Sequence, residues 1–588
     1  MIVRMRKLYV ASRRQQRDQL LDALRDAGMV HLVPVQPQRA VADEQTLTQL
    51  GALERAAQVL AAIPPAGPRP EIAARAAAEE VLDIQRRRAE GDHRLTALQR
   101  QLTEVARWGD LSLSAVAALR AHGLPVRVFT VPAERVGEIE AECAAVVGEP
   151  RGGRALVAVV QRAGEPRIPD DGEEQELPPR DAASLRAEAA DVDGQLRRDA
   201  ARLGELAHLR AAIEAEALQL HEQVDFAVAL RGAADAEHLF AVQGWIPAKQ
   251  VPELPARLAA AGVDAATQAL EPAPDDQPPT LIRNPRWMRP IDGLFKVLGT
   301  VPGYREFDVS LPFLIALPIF AAILICDGGY GALLLLGLVL GYKRVAPLLG
   351  RDFTQLLIIV GAATLVWGGL TATFFGFTLY RPVIPADLSD ESRVLLMRMS
   401  FLFGAIHLSL AQLWQAQALA PDLRFLSKVG WATFLWGMLG VVQMFVLSDP
   451  LHWGTPWPYL LIVGATLAIT FAQPRRNVAL MLLLGIAAFP LSLLSAFSDV
   501  ISYVRLMAVG LASSVLAATF NDMALGLGFW PLTIVVLLIG HALTFALGVI
   551  ALFAHGVRLN MLEFSSNLGM QWTGYPFSPF RKRLVQEA

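Results

Sequence analysis

Polar and apolar positions alternate differently in the two halves of the chain. Residues 1–38 run apolar-alternating in MIVRMRKLYVAS, helical in RQQRDQLLDALRDAG and apolar again in MVHLVPV. That is a strand–helix–strand unit. A second unit of similar texture spans Pro125–Gln161, with VRVFTV, an expected helix from Pro132 to Val147, then ALVAVVQ. A third lies near Leu239–Ala269 and opens on LFAVQGWIP, a short strand broken by Gly244 and Pro247. Two long amphipathic stretches separate these lobes. In Asp181–Leu230, Leu185, Val192, Leu206, Ile213 and Leu220 share one heptad position and Leu196 and Leu203 its partner, with Asp199 and Arg210 interrupting the seam. Asp43–Trp108, split at Pro64–Pro70, carries Leu95, Leu98, Leu102 and Val105 at helical spacing and is the expected antiparallel partner. About 50 helical residues reach on the order of 75 Å, so the pattern predicts a rod bearing small α/β lobes; helices folded back into one globule are the alternative. Pro- and acid-rich loops follow at Ala163–Pro179 and Glu271–Pro279.

From Val309 onward, apolar runs of membrane length alternate with short polar breaks. Eight spans are expected, at residues 309–326, 328–342, 354–379, 394–419, 429–447, 457–472, 477–522 and 529–563. The first two are short, with Asp327-Gly-Gly-Tyr-Gly331 in the turn between them. With residues 1–300 inside, the inner loops carry Lys343, Arg344, Arg351, Arg424, Lys428, Arg475, Arg476, Arg581, Lys582 and Arg583, against Arg381, Arg393 and Arg398 outside. This is the positive-inside asymmetry, and the outer segment Asp387–Glu391 is acidic. As a helix the run 477–522 would be on the order of 69 Å long, against a hydrocarbon core of about 30 Å. Dividing it at Pro490 or Asp499 would put Arg581–Arg583 outside. One long segment, tilted or bent against a large neighbour in the bilayer, fits the charges.

Composition sharpens the division. Residues 1–299 hold about 80 of the 109 charged side chains, so a water-soluble half is joined to a membrane-embedded one. A purely soluble enzyme is excluded. A net charge of −3 leaves no basic excess for nucleic acid. Cys143 and Cys326 lie in different halves, so neither a disulfide framework nor a cysteine metal site is expected. MIVRMRKLYV has no apolar run of signal-peptide length, so the soluble half is expected to stay in the cytoplasm. No GxxxxGK[ST], GxGxxG or HExxH pattern occurs, so any ATP chemistry belongs to another chain.

Two cations stand in apolar sequence. Arg505 is flanked by SDVISYV and LMAVGLASSVLAATF, and Arg558 follows TFALGVIALFAHGV. An arginine at the bilayer centre costs roughly 2.5–3.5 kcal/mol on insertion scales, so such residues line water or meet acids. Arg558 lies near the inner end of its span, where snorkelling is the alternative. Ala508 and Ala512 follow Arg505 at i+3 and i+7 with Ser513 adjacent, a small-residue face that admits a second helix. A guanidinium keeps its charge at any physiological pH. On such a face it can attract a carboxylate, make it release its proton and block leakage past it. His541, His555 and Glu563 share a span with Arg558; Ser495, Asp499 and Ser502 precede Arg505; His407 and Gln412 sit in the fourth span. Proton passage requires a trail of this kind, and interhelical hydrogen bonding is the alternative for each residue alone.

Whole motifs point further. SDVISYVRLMAVGLASS resembles the seventh span of the membrane subunit called subunit I in bacterial V-type (V/A-type) ATPases and subunit a in eukaryotic vacuolar ones. FDVSLPFLIALPIFAAILICDGGYG, WGGLTATFFGF, FGAIHLSL, HALTFALGVIALFAHGVRLNMLEF, FSPF and the lobe motif QGWIP are similar too, over nearly the whole chain. The resemblance implies a mixed fold. Cytoplasmic α/β lobes on a long antiparallel coiled-coil hairpin would occupy residues 1–300. An all-α polytopic membrane domain with eight transmembrane helices, the last two long and tilted, would occupy 301–588. It also implies a non-catalytic stator, not an enzyme by itself but a component of an ATP-driven, proton-translocating rotary ATPase or ATP synthase. The implied site is the inner (cell) membrane, with the N-terminal domain and C-terminus cytoplasmic. The implied partners are a proteolipid (c/K-type) ring, peripheral stalk subunits, the central-stalk or ring-adaptor subunit and membrane lipid, with no nucleic acid, cofactor or metal. The family's essential arginine maps onto Arg505 and its second arginine onto Arg558, with His555 and Glu563 at family positions beside the latter. Two offset aqueous half-channels would meet the ring near Arg505, and Asp499, Ser502, His541, His407 and Asp327 are further candidates for ion translocation. Leu491 and Gly548 stand where eukaryotic members carry acids, and Cys326 where the family has glycine. Two other readings stay open here: a self-contained secondary transporter with a cytoplasmic regulatory rod, and a membrane tether whose polar groups only hold helices together.

Overall fold

The computed structural model describes residues 1–582 except 110, 163 and 388. Arg583, counted above among the inner cations, and Ala163, the start of the first Pro-rich loop, lie outside the described residues. Strand Met5–Arg13 pairs antiparallel with Leu239–Pro247 on one side and Ala265–Leu270 on the other, and His31–Val33 and Ala234–Asp235 pair with the far edge of Leu239–Pro247. Leu8 and Val10 alternate inward and meet Leu20, Leu21 and Leu24 of helix Arg17–Ala27. The first and third sequence units are thus one sheet rather than separate lobes, because Leu239–Pro247 fills the gap that the first unit leaves between its own two strands. Gly244 makes the fit possible: a Cβ there would lie 2.4 Å from the His31 carbonyl oxygen.

The second unit departs from expectation. The helix expected from Pro132 to Val147 is a short 3₁₀ turn, Ala133–Glu138, followed by strand Cys143–Arg151. That strand forms a hairpin with Arg154–Val160 inside a four-stranded antiparallel sheet. Gly152 and Gly153, both at positive φ, build the turn, and β-branched Val146 and Val147 suit the pleat.

Helices Ala74–Val105 and Ala182–Leu206 run antiparallel, as their cross-links show: Glu80–Arg202 at 2.6 Å, Arg87–Asp199 at 3.1 Å and Arg94–Glu188. Glu44–Ala61 and Arg210–Gly232 extend the pair around a core of Leu53, Leu60, Val81, Leu206, Ile213 and Leu220. Asp199 is tolerated in the buried seam because Arg87 and Gln195 both donate to it. A 3₁₀ turn, Ala207–Leu209, breaks the second stretch into two helices.

The C-terminal half is helical. Among the described residues, five helices are long and apolar enough to cross a membrane: Arg351–Thr371, Asp390–Leu419, Arg424–Leu447, Val478–Gly526 and Trp530–Asn567. Gly328–Leu340 and Tyr342–Leu349, bent by 91°, make a sixth if taken together. Ser310–Ile325 and Trp457–Thr470 have only 16 and 14 residues. The expected third span stops at Thr371 rather than 379, because Ala372, Phe375 and Gly376 take positive φ and turn the chain into a small hairpin of Thr373–Phe374 with Phe377–Thr378. The 477–522 run is a single helical segment of 49 residues, interrupted at Tyr503.

After the last helix the chain returns to the N-terminal sheet. The Phe577 N–H donates to the Thr280 carbonyl at 3.0 Å, and the Phe580 N–H to the Val30 carbonyl at 2.8 Å. Phe580 enters the apolar core under that sheet, and Lys582 meets Asp26 at 2.8 Å. The last helix and the N-terminal lobe are therefore tied at a second point, besides the covalent link through residues near 300.

Candidate functional site

Two local irregularities build the site. The first is the break at Tyr503. Its ring is fully buried against Gly404, where any Cβ would lie 2.7 Å away, and its hydroxyl lies 2.7 Å from His407 Nδ1. His407 in turn stacks on Phe564 with ring centroids 4.3 Å apart. The second is a pair of π-helical turns, Leu552–Val557 and Leu559–Phe564, in the last helix. Wider turns of this kind recur at functional sites.

Between them the guanidinium of Arg505 finds its partners. It donates to Glu563 Oε1 at 2.7 Å, through Nε to the Ser502 carbonyl at 3.0 Å, and to the Ser502 hydroxyl. That hydroxyl donates to the same Glu563 oxygen at 2.5 Å. Arg558 Nε lies 3.6 Å from it. The Arg505 and Glu563 side chains are 23% and 6% exposed, while Arg558 is 52% exposed. Glu563 Oε2 is buried without a hydrogen-bond partner among the described residues. Two cations therefore converge on one carboxylate oxygen and leave the other idle.

Asp499 lies one turn before Ser502, and Asn567 Nδ2 donates to its Oδ2 at 2.8 Å and to the Glu563 carbonyl at 2.8 Å. His555, three residues before Arg558, is half-buried, and its Nδ1 has no hydrogen-bond partner among the described residues. The structure thus brings Arg505, Arg558, Glu563, Ser502 and Asp499 together. It does not bring His407, His541 or Asp327 into the cluster. Asp327 caps helix Gly328–Leu340 and clamps the small hairpin: Oδ1 accepts from the Gly329, Tyr330 and Phe375 N–H groups, and Oδ2 from Gly376. His541 Nδ1 lies 2.8 Å from the Tyr330 hydroxyl, beside a cavity of about 520 Å³ lined also by Leu333, Phe375 and Leu538. It is 17 residues before Arg558, about 25 Å along a helix.

Sequence reasoning missed Tyr330, Tyr503 and Asn567. Asn567 carried a signal, since it stands four residues past Glu563, on the same helical face. Among the described residues, no three His, Cys, Asp or Glu side chains converge to hold a metal ion.

The two helices that carry the cluster are bare along the apolar runs that precede it. Of the most apolar 18 residues of Val478–Gly526, which lie before Asp499, only 6% are buried, and of Trp530–Asn567 22%, against 44–50% in the other three long helices. Around Arg505 itself Leu506, Met507, Gly510 and Leu511 are buried. Ala508 and Ala512 are exposed, as a docking face requires. Ser513 is not part of it: it is buried and its hydroxyl donates to the Leu324 carbonyl.

No protein-family profile matches the chain. The V-type ATP synthase subunit I 1 of Treponema pallidum (strain Nichols) is 31% identical over 641 aligned residues, covering 99% of this chain and 100% of that protein. The V-type ATP synthase subunit I of Borreliella burgdorferi is 30% identical over 59% of this chain and 61% of its own length. The A-type ATP synthase subunit I of Methanocaldococcus jannaschii is 23% identical over 59% of this chain and 55% of its own length. Among solved structures, the cytoplasmic N-terminal domain of subunit I, homolog of subunit a, of V-ATPase matches 45% of this chain and 99% of that chain at 19% identity, with a TM-score of 0.19 that is too low for a comparison of folds.

Proposed function

The chain belongs to the V-type ATP synthase subunit I family, and from that membership we propose that it is the non-catalytic membrane stator of a rotary V/A-type ATPase, with Arg505 facing a proteolipid ring. As a family member it is a membrane subunit of a rotary ATPase and assembles with other subunits of that complex. The observation that carries the finer reading is the unbalanced charge beside the exposed small residues Ala508 and Ala512. Arg505 and Arg558 share the single carboxylate Glu563, so a second carboxylate, brought in on another helix past Ala508 and Ala512, would complete the pairing. A ring carboxyl that crosses lipid must be protonated. On reaching Arg505 it ionises and its proton leaves by one half-channel. Moving on, it takes a proton from the other. The fixed charge of arginine keeps the two channels from short-circuiting.

The polar groups divide accordingly. Asp499, Ser502 and Glu563 belong to the inner side, His541 with Tyr330 to the outer side, and His555 with Arg558 flanks the meeting point. Asp327 and His407 serve as scaffold. The strap from Phe577 to Lys582 supports the inner location of the C-terminus together with the N-terminal lobe. Both then lie on one side, which requires an even number of crossings, and counting the two short helices and the bent pair gives eight. The antiparallel helices of residues 1–300 act as a coiled-coil rod whose lobes take the peripheral stalks and meet the central-stalk or ring-adaptor subunit. Residues 301–588 carry the ions in the inner (cell) membrane. ATP chemistry resides on other subunits.

The test is Arg505→Ala in the whole complex, reconstituted into vesicles. Subunit composition and ATP hydrolysis should persist while ATP-driven proton movement is lost. Proton pumping at the wild-type rate by this variant would overturn the proposal.

A further inference from the structure

The polar groups on the inner side of Arg505 form a ladder between two helices. Asp499 and Ser502 are one turn apart on Val478–Ser502 and share a face. Opposite them, Glu563 and Asn567 are four residues apart. The rungs run antiparallel: Ser502 to Glu563 Oε1 at 2.5 Å, then Asn567 Nδ2 to Asp499 Oδ2 at 2.8 Å. A third helix, Asp390–Leu419, braces the second rung, with Gln412 Nε2 donating to Asn567 Oδ1 at 2.8 Å.

This network fixes the Asn567 amide. Its two N–H bonds go to Asp499 and to the Glu563 carbonyl, and its oxygen accepts from Gln412. Turned over, the amide would set its oxygen against two acceptors and its NH₂ against another NH₂, so one orientation alone is satisfied. An amide cannot take up or release a proton at physiological pH. Asp499 can, and unlike Glu563 it has no guanidinium on it among the described contacts. Two buried oxygens beside the ladder, Glu563 Oε2 and Gln412 Oε1, have no partner among the described residues. Below Asp499 the same helix exposes Ser495 and Ser492.

We propose that Asp499 is the proton-exchanging group of the inner path and that Asn567 is its positioning residue, held in register by Gln412. This rests on the stator reading above. In ATP-driven pumping a proton from the inner solution adds to Asp499, passes through water to the idle Oε2 of Glu563, and goes from there to the ring carboxylate as it leaves Arg505. Each transfer breaks one O–H bond and makes another, with water between Asp499 and Glu563 as the only other participant.

The experiment uses the assembled complex in vesicles, with ATP-driven acidification measured across a range of inner-side pH, for Asn567→Ala, Asp499→Asn and, in parallel, Arg505→Ala. Asn567→Ala should retain hydrolysis, pump more slowly than the wild type, and shift its pH profile. Asp499→Asn keeps the shape and removes the titrating group, so it should lower pumping at every pH and flatten the profile. A merely structural Asn567 would change the amount of assembled complex and leave the profile of what assembles in place. Should Asn567→Ala not assemble, the isosteric Asp499→Asn decides by itself. Pumping by Arg505→Ala would overturn the stator reading. A silent Arg505→Ala together with wild-type pH profiles for the other two would overturn this inference alone.

Discussion

Asp327 and Glu563 are both carboxylates buried among apolar helices, and they are held in opposite ways. Both oxygens of Asp327 accept backbone N–H groups, four in all, from a helix start and from a hairpin 48 and 49 residues away. Glu563 puts Arg505, Ser502 and Arg558 on one oxygen and, among the described residues, no hydrogen bond on the other. Backbone donors cannot swing away, so a carboxylate held by them is locked, and losing it strands every donor. Side-chain donors can exchange partners, and an idle oxygen is a place for a proton. Burial is alike at the two sites; they differ in who supplies the hydrogen bonds, and on the proposed reading that difference separates scaffold from chemistry.

The largest effect should come from Asp327→Ala. Each backbone N–H left buried and unpaired costs about 1–3 kcal/mol, and four are stranded at once in the turn that holds helix Gly328–Leu340 to the hairpin. The expected result is no assembled complex in membranes, seen as loss of the chain on a native gel. Normal assembly with a specific transport defect would break the comparison, since Asp327 would then be an ion site. Glu563→Gln should do the reverse. The complex assembles and hydrolyses ATP, but pumping falls about tenfold, equivalent to some 1.4 kcal/mol. That is close to the lower end of the roughly 1.5–3 kcal/mol that a hydrogen bond to a charged group contributes. Protons moved per ATP hydrolysed is the measurement, and a wild-type ratio would sink the distinction.

The sequence made some of this contrast legible and hid the rest for physical reasons. Arg505, the single long segment around it and the exposed Ala508 and Ala512 followed from charge placement and spacing. The pairing of Arg558 with Glu563 did not, because residues five apart stand about 140° apart on an α-helix. The π-helical turn Leu559–Phe564 brings them onto one side, and no residue type announces such a turn. The partners of Asp327 could not be read from the sequence, because they are backbone groups, two of them contributed by a distant hairpin, which carry no side-chain signature. In the soluble half, local periodicity found Met5–Arg13, Arg17–Ala27 and Leu239–Pro247. It could not tell that these strands interleave, since register between distant strands is set by packing. The strand Cys143–Arg151 was misassigned for a related reason: alanines and a valine pair fit either period, and the glycine turn after them decided the outcome.

The smallest effect is expected at Ser502, and it tests whether the crowding on one Glu563 oxygen is redundant. Ser502→Ala removes the 2.5 Å hydroxyl donor while the Arg505 contact at 2.7 Å and the Arg558 approach at 3.6 Å remain. The Arg505 Nε bond to the Ser502 carbonyl also survives, because it uses backbone. With the ion pair intact, the loss should approach that of one ordinary hydrogen bond, about 1 kcal/mol, and pumping should fall only a few-fold with no change in assembly. A loss as complete as that expected for Arg505→Ala would mean that the hydroxyl, not the guanidinium, sets the state of Glu563. That carboxylate would then resemble Asp327 in depending on every one of its donors, and the difference drawn between the two sites would fail.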